Sequence, residues 1–262
     1  MKALRNLFWV LPLFIASIAI ISCNKDNGKS RLTVYLTDAP ASYDAVNIEV
    51  VRVEIKSSSD EGDNGWKELP VNAGVYNLLD FTNGMDTLLS SVELPAGKVS
   101  QLRLILGGNN SIVINGTTME LPLETPSAQQ SGLKFNIHAD LVEGVEYKLW
   151  IDFDCARSVV QTGNGDYILK PVLRTFTEAT SGAIKGNVQP VAAQATVAAI
   201  AGADTLSAIP DAVTGSYLIR GVPPGTWKVV ADGNNGYNDV TKENIAVVLG
   251  QVSVVDTITL VQ

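Results

Sequence analysis

From Leu32 onward the apolar residues recur at every second position, in short runs punctuated by Gly, Pro, Asn and Asp. A β-strand imposes that period, because successive side chains leave its backbone on opposite faces. Leu32, Val34 and Leu36 share one face, and Thr33, Tyr35 and Thr37 the other. Asp38-Ala39-Pro40 ends the run, since proline cannot donate to a ladder. A second strand is expected over residues 45–56. Its apolar phase slips by one between Val50 and Val51, and a β-bulge there would return both halves to the core. Further strands are expected over residues 101–106, 111–114, 134–139, 146–154 and 167–176, with turn signals at Gly107-Gly108-Asn109-Asn110, Asn115-Gly116 and Gly163-Asn164-Gly165-Asp166. The one helix-like stretch, residues 77–91, is broken at Asn83-Gly84 into one or two short turns. The fold class is therefore all-β, with two antiparallel β-sandwich domains expected after a signal peptide.

The N-terminus follows another logic. Lys2 and Arg5 precede an apolar run over residues 7–21 that contains Pro12. A spanning helix needs about 20 apolar residues, so this shorter run reads as a signal-peptide core. Ile20-Ile21-Ser22-Cys23 resembles the bacterial lipobox. That resemblance implies a diacylated Cys23 thiol, cleavage before it and acylation of the new amine. Residues 1–22 are then the signal peptide and residues 23–30 a lipidated tether. Two or more acyl chains, at about 0.8 kcal/mol per buried methylene, hold a protein stably on a membrane. The membrane is thus an expected partner, through lipid on Cys23. Asn24-Lys25-Asp26-Asn27 partly resembles a surface-export signal of Gram-negative lipoproteins, which implies a lipid-anchored, surface-exposed protein of the outer membrane, with a periplasm-facing one as the alternative. With Cys23 lipidated, Cys155 has no disulfide partner in the chain.

Charge and composition exclude several classes. Lys plus Arg is 19 against 27 Asp plus Glu, and loss of Lys2 and Arg5 with the signal peptide takes the formal charge from −8 to −10. Such a balance repels phosphate backbones, so no nucleic-acid partner is expected. The single histidine, His138, excludes a zinc site built on several histidines, and a Ser-His-Asp triad would need this one residue to find both partners.

Across residues 31–177, Leu36-Thr37-Asp38-Ala39-Pro40, Trp66, Leu94-Pro95-Ala96-Gly97, Gln101-Leu102-Arg103-Leu104, Pro126-Ser127, Gly132-Leu133-Lys134, Asp152-Phe153-Asp154-Cys155-Ala156-Arg157-Ser158-Val159 and Leu169-Lys170-Pro171-Val172-Leu173-Arg174 occur in order. They resemble the bacterial lipoprotein domain of the domain-of-unknown-function family 4382, which implies no established activity. A polar linker is expected at residues 178–182. Residues 183–262 then carry Gly215-Ser216-Tyr217, Gly221-Val222-Pro223-Pro224-Gly225-Thr226 and Gly236-Tyr237, which resemble the carboxypeptidase regulatory-like domain, a transthyretin-like β-sandwich. That resemblance implies a spacer or binding accessory.

The strand over residues 146–154 holds the candidate site. Tyr147, Leu149, Ile151 and Phe153, with Cys155 as an inert inward thiol, read as the core face; Lys148, Trp150, Asp152 and Asp154 share the other. Trp150, Asp152 and Asp154 are the candidate ligand-binding residues. Trp150 is either a sugar-stacking platform or an aromatic packed under a loop. For the two carboxylates three readings are open: a glycosidase acid and base, a calcium site completed by Asp38 or a backbone carbonyl, or a structural role capping turn amides and pairing with Arg157, Lys170 or Arg103. Residues 60–65 offer a second oxygen-rich cluster, read as a hairpin tip. No cofactor is expected, with calcium the one ion considered. The expected function is non-enzymatic: a surface lipoprotein binding extracellular glycan or a protein partner. The alternatives are an appendage subunit that exchanges a final strand over residues 252–261, and a carboxylate-dependent glycoside hydrolase.

Overall fold

Alternation carries through into the computed structural model, which describes residues 28–57 and 65–262. The signal peptide, Cys23 and most of the acidic 60–65 cluster lie outside the described residues. The strands are β1 (Lys29–Ala39), β2 (Ala45–Ser57), β3 (Trp66–Glu68), β4 (Gly74–Asn77), β5 (Thr87–Pro95), β6 (Gly97–Leu106), β7 (Ser111–Ile114), β8 (Thr117–Glu120), β9 (Leu133–Leu141), β10 (Glu146–Asp154), β11 (Val159–Gln161), β12 (Tyr167–Leu169) and β13 (Leu173–Phe176). There follow β14 (Gly182–Gln189), β15 (Thr196–Ala201), β16 (Asp204–Ala208), β17 (Ser216–Val222), β18 (Gly225–Asp232), β19 (Val240–Val247), β20 (Val252–Val254) and β21 (Ile258–Thr259). Two single-turn helices, α1 (Ser127–Gln130) and α2 (Cys155–Ser158), interrupt them.

The chain is all-β and builds sandwiches. One sheet of the first module runs β13-β10-β1-β5; the facing sheet runs β8-β7-β2-β6-β9, with β3 and β4 also paired to β2. Leu32, Val34 and Leu36 are fully buried between them with Ile48, Leu104 and Phe153. A second, separate core gathers Ile184, Val197, Trp227, Val229 and Ile258 between β17-β14-β20 (β21 also joining β14) and β16-β15-β18-β19. Most pairings are antiparallel. The exception that matters here is β1 on β10, parallel and in register from Arg31↔Glu146 to Ala39↔Asp154.

Local signals explain much of this. The register of β2 on β6 shifts between Val50 and Arg52, so Val51 is the bulged residue and points outward while Val50 and Val53 stay buried. Asn115 and Gly116 take φ of 50° and 73°, the two-residue hairpin turn that matches strand twist. Over residues 77–91 the helical expectation is met only by one 3-10 turn, Leu78–Phe81; positive φ at Asn83 and Gly84 then reverses the chain into β5. Lys170-Pro171 splits the expected 167–176 strand in two. The 178–182 linker is a compact turn, with Ser181 Oγ donating to Thr177 O at 2.6 Å and both residues buried.

The final strand departs from expectation. Val252 and Val254 are exposed, whereas Val255, Ile258 and Leu260 are buried. Asp256-Thr257 separates β20 from β21, and each pairs with β14 on its own register. Val252 and Val254 therefore do not share a face with Ile258 and Leu260, and no continuous strand spans 252–261.

Candidate functional site

Both β1 and β10 end at the boundary between the two modules, and their parallel register decides what gathers there. Thr37 lies beside Asp152, Asp38 beside Phe153 and Ala39 beside Asp154. Neighbours in register share a face, so Asp152 and Asp154 point one way and Asp38 the other. On the Asp152 face, β13 brings Arg174 directly opposite. Arg174 Nε donates to Asp152 Oδ2 at 2.7 Å and Nη2 approaches the same oxygen at 2.5 Å. The guanidinium then crosses to the second module, donating to Gly221 O at 2.7 Å and Arg220 O at 3.0 Å.

Arg220 of β17 reaches back. Its Nη1 donates to Asp86 Oδ2 at 2.8 Å and to Gly84 O at 3.2 Å, and its guanidinium carbon lies 4.7 Å from the Trp150 ring centroid. Trp150 itself stacks between Tyr35 at 5.3 Å and Phe176 at 5.6 Å, and its Nε1 donates to Asp86 Oδ2 at 2.8 Å. Two arginines thus clasp the modules from opposite sides around one buried tryptophan. Glycine is required at a close approach between the modules: a Cβ on Gly221, at φ 64°, would sit 2.5 Å from the Phe176 ring. Asn83 Nδ2 adds a bond to Ile209 O at 2.6 Å.

These contacts correct several expectations. Trp150 is only 3% exposed and both ring faces are covered, so it offers no platform to a sugar. The second module covers the outward face of β10 from Trp150 to Asp152, while Lys148 before that stretch is exposed and Asp154 after it is half-buried. Asp152 pairs with Arg174, while Arg103 pairs with Glu54 and Lys170 with Glu124. Burial pushes the Asp152 carboxyl up from its ordinary range, and the Arg174 guanidinium pulls against that. Asp154 caps α2, accepting the Arg157 N–H at 3.0 Å, and its Oδ2 lies 3.8 Å from Arg157 Nη1.

Nor does the triad of Asp38, Asp152 and Asp154 assemble into a calcium site. Asp38 faces the core side, where its Oδ1 accepts the Cys155 N–H at 3.1 Å and its buried Oδ2 has no hydrogen-bond partner. Burial holds the Asp38 carboxyl well above the usual carboxylate range, the Cys155 side chain and then its N–H counteracting and Asp152 and Asp154 adding to it. Among the described residues no three His, Cys, Asp or Glu side chains form a group able to hold a metal ion. Cys155 is fully buried, and burial pushes its thiol far up, leaving no reactive thiolate. His138 is exposed on a bulge of β9 at φ 45°.

Beside the clasp lies a cleft of ≈ 660 Å³ between the modules. Thr37, Ser42, Asp154 and Arg157 line it from the first module, Thr205 and Ser207 from the second. Arg157 is 71% exposed in its side chain. Hydroxyls beside an exposed guanidinium and a partly exposed carboxylate suit hydrogen bonding to a polyol or a peptide backbone. Arg174, Arg220 and Asp86 carry almost no local sequence signal as site residues. The only signals were Arg174 closing the motif that begins at Leu169, and Arg220 preceding the Gly221 turn.

Fold and clasp together define a class of protein, an all-β chain in which two sandwich modules are joined through a buried polar seam. Within that class the chain belongs to the family described as Domain of unknown function (DUF4382), whose model matches residues 29–171. No curated protein matches it. Similar solved structures include the Bacillus anthracis TIE protein, at 13% identity over 89% of this chain and 34% of that one, with a TM-score of 0.24. Another is a leucine-rich repeat protein from Bacteroides thetaiotaomicron, at 11% identity over 88% and 26%, with a TM-score of 0.19. A third is GBS52, the minor pilin of Streptococcus agalactiae, at 9% identity over 88% and 96%, with a TM-score of 0.22. The chain spans about a third and about a quarter of the lengths of the first two.

Proposed function

We propose that the chain is a non-enzymatic lipoprotein of the bacterial outer membrane, anchored through Cys23, that holds the cleft between its modules away from the lipid to bind an extracellular glycan or a segment of a partner protein. The path of β1 carries this reading. The strand starts at Lys29, six residues after the cysteine that closes the lipobox sequence Ile20-Ile21-Ser22-Cys23, and it finishes at Ala39 in the cleft wall. Eleven residues at about 3.3 Å each set the cleft roughly 35 Å from the anchored end. The clasp of Arg174 and Arg220 supports a fixed orientation of the second module at that distance. On this reading residues 183–262 are a carboxypeptidase regulatory-like, transthyretin-like accessory whose wall completes the cleft.

The test is a glycan-array screen of the lipid-free mature chain, repeated with Arg157→Ala. The reading expects saccharide hits that weaken in the variant, since Arg157 lines the cleft and is mostly exposed. Uniformly empty arrays remove glycans and leave protein segments; hits indifferent to Arg157→Ala move recognition away from the cleft.

A further inference from the structure

The end of the first module opposite the cleft carries an unusual turn. Strands β9 and β10 are joined by Val142-Glu143-Gly144-Val145, closed by the Val145 N–H donating to Val142 O at 3.1 Å. Tips of this kind ordinarily carry Asn, Asp, Ser or Gly, because those residues bond locally or tolerate positive φ. Gly144 meets that demand with φ 72°, yet the turn's two ends are valines, 56% and 53% exposed. Glu143 does not screen them; its side chain packs back against Gly28. Beside this tip lies the turn between β5 and β6, with Pro95 exposed, and the chain enters between the two hairpins. The Ala96 N–H donates to Gly28 O at 2.6 Å and the Gly144 N–H to Lys29 O at 2.9 Å. A groove of ≈ 630 Å³ opens at the same end, lined by Ile55, Leu94, Pro95, Val99 and Leu141 together with Lys98.

Tether length says what covers this end. From Cys23 to Gly28 are five residue steps, which reach at most about 18 Å when fully extended. If Cys23 carries lipid, Gly28 and the two hairpins bracketing it cannot stand clear of the headgroup layer by more than that. We propose that this end face is a membrane-docking surface, in which Val142, Val145 and Pro95 seat among lipid headgroups and fix the sandwich upright on the bilayer. The inference rests on the anchored reading above and adds the contact to it.

The charges select the lipid. Lys29, Arg31, Lys67 and Lys98 at this end are matched by Glu93, Asp140, Glu143 and Glu146, and Lys29 and Arg31 are already 3.7 Å and 3.1 Å from Glu93. Attraction to an anionic surface is therefore not the driving force; apolar insertion into zwitterionic lipid is.

The experiment uses the full lipidated chain with Val145→Cys bearing an environment-sensitive fluorophore, on vesicles of phosphatidylcholine and phosphatidylethanolamine. Cys155 is buried and stays unlabelled. Val213→Cys, at an 84% exposed site of the second module, is the distal control. The expected result is a blue shift at 145 and a loss of its intensity to headgroup spin-labelled lipid, with neither at 213 and little change on raising salt. A chain that floats with the vesicles while its 145 probe stays water-like overturns the docking surface and leaves the anchor standing. A chain that never floats removes the anchor and the docking surface with it. Energy transfer between 145 probes without lipid quenching assigns the end to a second copy and overturns the proposal equally.

Discussion

Arg174→Ala is the sharpest test of the clasp. The substitution strips Asp152, whose side chain is 9% exposed, of its only ion-pair partner among the described residues, and it removes two bonds to carbonyls of the second module. Breaking a buried pair from one side costs about 3–5 kcal/mol, because the surviving charge is left uncompensated. Arg174 is itself 34% exposed, and water entering its place offsets part of that cost, which argues for the lower end, about 3 kcal/mol. For a chain of this size that lowers Tm by roughly 6–12 °C. Asp152→Asn supplies the internal control. With no charge to strand, Arg174→Ala in that background costs only the lost hydrogen bonds, about 1–1.5 kcal/mol. Urea unfolding of the lipid-free mature chain, as parent, both single variants and the double, closes the cycle. A coupling below about 0.5 kcal/mol would refute the argument that Arg174 neutralises a buried carboxylate.

Two further outcomes follow from the same geometry. Gly221→Ala must fit a Cβ 2.5 Å from the Phe176 ring at φ 64°, so it should cost about 2–3 kcal/mol and speed proteolysis at the 177–182 turn, whereas Gly163→Ala, with open space around it, should be silent in both assays. Asp38→Asn tests the raised carboxyl. The folded chain keeps the Asp38 proton above the usual carboxylate range while the unfolded chain releases it, so this residue's contribution is fullest at low pH and is lost as pH rises through the folded value. Relative to parent, Asp38→Asn should therefore fare better at pH 7.5 than at pH 4.5 in urea midpoints, and an equal difference at the two pH values would contradict the shift.

What the sequence disclosed, and what it withheld, follows the range of the forces involved. Period-two alternation placed Leu32, Val34 and Leu36 inward, the one-residue slip at Val50 and Val51 located the bulge, and Asn115-Gly116 announced its hairpin, because each is settled within a few residues. Trp150 misled for the opposite reason. Its face of β10 alternates correctly with the core face, and nothing near it in sequence reveals that a second module closes over it. The partner that covers it, Arg220, meets Asp86 across 134 residues. Nothing in sequence separates Asp38 from Asp152 and Asp154 as oxygen donors, and only the parallel register of β1 on β10 divides them between two faces. The C-terminal run failed through a slip at Asp256-Thr257 that flips the later apolar residues inward, leaving Val252 and Val254 exposed.

In the proposed arrangement, lipid on Cys23 pins one end of β1 while the cleft stands at the other. The most direct measurement is radiolabelled palmitate incorporation in growing cells, followed by membrane fractionation of the native chain and of Cys23→Ser. The expected result is label on the native chain and its recovery with the outer membrane, with an unlabelled, membrane-free Cys23→Ser protein. Absence of label from the native chain, or an unchanged membrane fraction in the variant, contradicts it.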